Sequence, residues 1–245
     1  MTPYAQTNLQ LWRELVDAGW RDEELVRARR GYELAMRLFS ARYRANGKPF
    51  VAHLVGTASV LRAHEAPVDV VLAGLLHAAY AQGDFGGARR GMNGARRRRV
   101  RAAIGEAAEA LVVDYTHFRW RPDVIAALAA RREALSPKER QVVVMRLANE
   151  LEDHLDLGMA FGAKPPKARG VALEAAPLVV LARGLGLTRL ADALAAAYEQ
   201  HDAAEVPESL RASRRSSEDV PPPSFRRRSL PALAHLARRL RRLTK

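Results

Sequence analysis

Arg44-Ala-Asn-Gly-Lys-Pro-Phe-Val-Ala-His53 and, one helix later, Gly74-Leu-Leu-His77-Ala78 carry the reading of this fold. Gly47 and Pro49 end one helical segment. From Phe50 to His64 the apolar residues Val51, Leu54, Ala58 and Leu61 then recur at helical spacing, which places His53 in the first turn of a new helix. Val68 to Ala81 is apolar nearly all round, and a helix apolar on every side is a central one. His77 thus falls within the centre of the molecule.

Outward from this pair the chain reads as helical almost throughout, with no convincing alternating strand. Thr7 can cap a helix carrying Leu9, Trp12, Leu15 and Val16 that ends at Gly19; a second spans roughly Asp22 to Tyr43. Further helices are expected at Arg97 to Val113, Pro122 to Glu133 and Ser136 to Met159. The turn Leu185-Gly-Leu-Thr188 should join two more in an antiparallel hairpin over residues 171–201. The reading is all-α: one helical domain over residues 1–208, a flexible Arg/Ser/Pro linker over 209–228, and a terminal helix over 229–245.

Length and composition agree with one core and an appendage, since 245 residues with 48% hydrophobic content hardly suffice for two full domains. Without cysteine, disulfides and thiolate metal sites are excluded. No stretch approaches the roughly 20 apolar residues needed to span a bilayer, and the start lacks signal-peptide features, so the expectation is a cytoplasmic protein. The formal charge of +13 is concentrated: residues 211–245 carry a net +9, leaving +4 for the rest. A second basic run, Arg89 to Arg101, reads as an exposed loop entering a helix. At the end of the chain Leu230, Leu233, Leu236, Leu240 and Leu243 share one helical face opposite Arg238, Arg239, Arg241 and Arg242. Such a helix suits an anionic membrane surface or an acidic partner, which would make the protein peripheral to a membrane. Nothing in it reads nucleic-acid sequence.

The boxes Arg44 to His53 and Leu75-Leu-His77 resemble the opening of the HD-domain phosphohydrolases. The closest likeness is to the hydrolase half of the Rel/Spo family, which removes pyrophosphate from guanosine tetra- and pentaphosphate. Val142-Val-Val-Met-Arg-Leu-Ala-Asn149 is similar to a third family box, and the likeness extends over about residues 28–160. It implies an HD-like helical bundle. It also implies a divalent metal held by two histidines and two carboxylates, at the positions of His53, His77, Ala78 and Asn149. Here Ala78 and Asn149 replace the carboxylates, and Ala81-Gln82 stands where the family has a Glu-Asp pair that handles the attacking water. Metal-dependent phosphohydrolysis is therefore not expected, and no cofactor is, beyond a weakly held divalent ion.

What remains is a pocket. Arg44, His53, His77, Asn149, Glu152 and Asp153 are its expected ligand-binding residues, and a small polar or phosphorylated metabolite, such as a nucleotide, its expected occupant. Glu150, Glu152, Asp153 and Asp156 read either as a solvated helix face or as carboxylates that rebuild a metal site beside the histidines; Asn149, Glu152 and Asp156 are neighbours at helical spacing. Tyr80, Tyr115, His117 and Trp120 read as lining for an adjoining cavity. Three functions follow: a pseudoenzyme that binds a metabolite, an enzyme with a repurposed pocket using His77 or His53 as acid or base, and an adaptor working through its basic tail. Apolar stripes on several helices also suit an oligomer.

Overall fold

The computed structural model describes residues 4–86, 91–163, 175–213 and 216–220. Among them the chain is an all-α bundle with one two-stranded ribbon. Thr7 caps α1 (Asn8–Asp17) in a reciprocal arrangement with Gln10, and α2 (Asp22–Leu38) follows. α3 (Phe50–Ala63) and α4 (Val68–Leu76) form the centre: Leu54, Ala58, Leu61, Leu72 and Leu76 are at most 1% exposed, and the two helices pack against each other. α1 and α9 (Pro137–His154) cover α3, while α2 and α7 (Glu106–His117) cover α4. Gly74 permits the α3–α4 approach, because a Cβ there would lie 2.3 Å from Leu61 Cδ1.

α5 (Ala79–Gln82), α6 (Gly94–Ile104), α8 (Pro122–Ala130), α10 (Ala175–Gly184) and α11 (Thr188–Asp202) complete the helices. α10 packs on both α8 and α11, and α11 on α9. Ser136 caps α9 with Pro137 in its first turn, as the sequence indicated.

Several expectations are corrected. The second helix stops at Leu38 rather than Tyr43: Ala41 takes φ 56°, and Arg42–Tyr43 is instead β1, paired antiparallel with β2 (Glu218–Asp219). The amphipathic stretch from Arg97 to Val113 is broken at Gly105, whose φ of 90° ends α6 and starts α7. The last box helix ends at His154, and Asp156 and Leu157, with φ of 53° and 59°, turn the chain away.

The described part of the expected linker is anchored rather than free. Ala212 N–H donates to Phe161 O at 2.8 Å, Arg211 Nη1 to Ala160 O at 2.7 Å, and Val220 N–H to Ala41 O at 2.7 Å. Backbone pairing, which needs no apolar pattern, holds this polar segment. The expected helix over 229–245, the rest of the linker and the first residues of the expected hairpin lie outside the described residues. Among the described residues, no helix is long and apolar enough to cross a membrane.

Candidate functional site

His53, one turn into α3, is fully buried, and His77, directly after α4, is 4% exposed. Their partners fix their tautomers. His53 Nδ1–H donates to the Glu152 carboxylate, and His77 Nδ1–H donates to Gly74 O at 2.7 Å. Both Nε2 atoms are left as lone pairs, facing each other 3.3 Å apart. Two facing acceptors require a positive donor between or beside them, and Arg44 supplies it. Arg44 Nη1 donates to His53 Nε2 at 2.8 Å, while Nη2 donates to Asp153.

The cations come from the loop between β1 and α3. Arg44 N–H bonds Lys48 O at 2.8 Å and Gly47 N–H bonds Arg44 O at 2.9 Å, so Gly47, at φ 86°, folds the loop back on itself. This turn presents Arg44 and Lys48 together, and Lys48 Nζ donates to Glu152. The carboxylates come from α9. Asn149 and Asp153 are four apart and bonded, Nδ2 to Oδ2 at 3.2 Å, while Glu152 reaches across to α3. Gly56, one turn beyond His53, allows that reach: a Cβ there would sit 2.6 Å from Glu152 Oε1.

All six expected ligand-binding residues are thus gathered at one place. The solvated-face reading of the acidic cluster fails for Glu152, which is 1% exposed, and holds for Asp156, which is exposed. Of the four expected cavity residues, Tyr115 packs on His77 at 4.9 Å between ring centres, and Trp120 donates to Glu150 at 3.0 Å. His117 is exposed and Tyr80 bonds Glu109 instead, so these two do not belong to the site. Lys48, Arg146 and Tyr198 were not among the expected site residues, and Glu150 was named only as a member of the acidic run. Arg146 lies over the Tyr115 ring at 3.7 Å, and Tyr198 stacks on His154 at 3.9 Å. Only the Gly-Lys-Pro turn of Lys48 and the spacing of Glu150 within the acidic run were visible as signals.

Burial governs the protonation of the cluster. Desolvation, reinforced by Arg44, holds His53 down to about 3, and desolvation with His53 holds His77 well below its usual value. Desolvation pushes Glu152 up to about 7 against the pull of Lys48 and Arg44. Glu150 is raised to about 7 by desolvation and by Asp153. Near neutrality the histidines are uncharged acceptors and the two glutamic acids are the groups poised to exchange protons.

The residues present do not fit an HD-type metal. Ala78 offers only a methyl, and Asn149 turns its amide nitrogen to Asp153. His53, Glu152 and Asp153 do bring potential ligand atoms within 4.8 Å of one another, but Arg44 and Lys48 already occupy them. Two clefts of the described residues lie away from the histidine cluster, one beside β1 and one between Trp20 and Arg189.

Residues 36–119 match the model of a family described as a domain of unknown function, DUF6817. The match takes in Arg44, Lys48 and both histidines but stops short of α9 and its carboxylates. No curated protein matches the chain.

Proposed function

We propose that the protein is a degenerate HD-type module that binds a small phosphorylated metabolite at the Arg44–Lys48–His53 cluster without hydrolysing it through a metal. The observation behind this reading is the Arg44 guanidinium, which bridges His53 Nε2 and Asp153. Those are the groups a divalent ion would need, and a cation tethered to the chain competes for them at high effective concentration. Arg44, Lys48 and Arg146 face Asp153 and two carboxyls that are half-neutral near pH 7, Glu150 and Glu152, a balance that favours an anion. Guanidinium forks suit phosphate oxygens, and rotating Arg44 off Asp153 would offer two donors to a ligand.

Calorimetric titration with inorganic pyrophosphate in the presence of a chelator tests this. Binding is expected without added metal, weakened at least about tenfold by Arg44→Ala, which removes a charge-assisted bidentate contact. Stoichiometric metal in the purified protein, lost in a His53→Ala/His77→Ala variant, would overturn the reading.

The raised carboxyl of Glu152 favours a second reading, an enzyme with a repurposed pocket. His53, at about 3, is too weak a base for general acid–base work near neutrality, so the proton-transfer role expected of the histidines would pass to Glu152. Turnover with an apparent pKa near 7 that disappears in Glu152→Gln would support it, and turnover untouched by that change would sink it.

A further inference from the structure

Arg42 is a buried guanidinium that the histidine site does not use. It is 6% exposed, and its Nε has no hydrogen-bond partner among the described residues. One arm, Nη1, donates to Asp219 Oδ1 at 2.7 Å across the β1–β2 ribbon. Arg42 also lines a cavity of about 250 Å³ shared with Tyr32, Met36, Phe39, Tyr43 and Phe50. Phe39 and Phe50 stack with centres 4.6 Å apart and planes 12° apart, and the Arg42 guanidinium lies 6.0 Å from the Phe50 centre. A buried donor left without an acceptor is costly, and a guanidinium fork is shaped to hold a carboxylate with two parallel donors.

We propose that this cavity binds a small aromatic carboxylate, its ring against Phe39, Phe50 and Tyr32 and its carboxylate on Arg42. Asp219 shows the chemistry, because the chain's own carboxylate already engages one arm of the guanidinium. The volume lies just below the usual range of ligand pockets and admits a single ring. Lining rings together with one buried cation favour a planar acid over an alkyl phosphate or a sugar. The site is separate from the phosphate-binding cluster but shares Phe50 with it. That ring meets His53 edge-on at 5.6 Å and lies under Arg44 at 5.7 Å.

Titration of the full chain with benzoate, and with benzyl alcohol as its neutral analogue, followed by ligand-observed NMR, tests the proposal. Benzoate should bind at least about fivefold more tightly than benzyl alcohol to the native protein, reflecting one charge-assisted contact. Asp219→Asn, which removes the internal competitor, should tighten benzoate about tenfold, and Arg42→Met should abolish the preference. A native protein and an Asp219→Asn variant that both fail to favour benzoate would overturn the site, as would an Arg42→Met variant that keeps the preference. If circular dichroism shows Arg42→Met to be unfolded, the Asp219→Asn comparison decides alone. Pyrophosphate binding measured on the same samples reports the histidine cluster independently.

Discussion

Glu109 and Glu152 are both shut away from solvent, at 0% and 1% exposed, yet they are held in opposite states. Burial pushes both carboxyls up. At Glu109 the push is outweighed by Arg97, Tyr80 and Arg101, which together donate to both oxygens, at 2.7–3.3 Å, and the carboxyl is held below its usual value. Glu152 is packed far more deeply among neighbouring atoms, its donors are His53 and Lys48, and Arg44 is committed to Asp153, so burial prevails and the carboxyl rises to about 7. A buried carboxylate with a full set of donors is a structural tie, here joining α5, α6 and α7. One with too few is a group free to change its proton near neutrality.

The largest test of that contrast is Glu109→Ala. It leaves two guanidinium groups and the Tyr80 hydroxyl without their acceptor, and the midpoint of urea unfolding should fall by the equivalent of about 2–4 kcal/mol. Glu152→Gln at pH 6, where the native carboxyl is already protonated, should cost less than about 1 kcal/mol. Equal costs for the two would erase the distinction.

Stability against pH sharpens it further. Glu150 and Glu152 are raised from 4.5 to about 7, so their contribution is complete below pH 4.5 and lost as pH rises through 7. His53 is lowered from 6.5 to about 3, so its contribution is complete above pH 6.5 and lost as pH falls toward 3; His77 acts in the same sense. Between 4.5 and 6.5 these slopes oppose each other and stability should be nearly flat. Above 6.5 the two glutamic acids act alone, and stability should decline by on the order of 1–3 kcal/mol. A Glu150→Gln/Glu152→Gln variant should lose that decline in urea titrations at pH 6.5 and 8, and its persistence would show that other groups cause it.

Much of the site could be read from the sequence because it rests on local spacing. Asn149, Glu152 and Asp153 share turns of one helix, and His53 and His77 sit at the start of one apolar helix and the end of the next. The break at Gly105 was not legible, since the amphipathic pattern runs straight through it and only the backbone at φ 90° marks it. Nor was the partner of Arg42, because Asp219 lies 177 residues away in a polar segment without periodicity. The basic run at 89–101 read as exposed charge, but Arg97 and Arg101 turn inward to an acceptor on the next helix. Burial-driven pKa shifts are properties of the assembled core, and no local pattern announces them.

A smaller effect is expected at Gly56. An added Cβ must push Glu152, so Gly56→Ala should cost about 1–3 kcal/mol and weaken pyrophosphate binding several-fold. Gly31→Ala, whose Cβ would meet Ile104 Cγ2 at 2.8 Å, should cost a similar amount while leaving binding unchanged. Parallel losses of binding in both variants would mean that the cluster responds to general loosening of the core rather than to the position of Glu152.

The smallest effect belongs to a pair with the same geometry as the Glu109 tie. Arg183 and Asp192 meet at 2.8 Å, as Arg97 and Glu109 do, but both side chains are 58% exposed, whereas Glu109 is wholly enclosed. Water and salt screen the exposed pair, and its formation must fix two mobile side chains, so Arg183→Ala should change stability by less than about 0.5 kcal/mol. Measured in urea at 0.05 and 1 M sodium chloride, that small difference should vanish at high salt, while the cost of Glu109→Ala should persist. If the Arg183 substitution proved as costly as that of Glu109, contact distance rather than enclosure would set the strength of these ion pairs, and the contrast between Glu109 and Glu152 would need another cause.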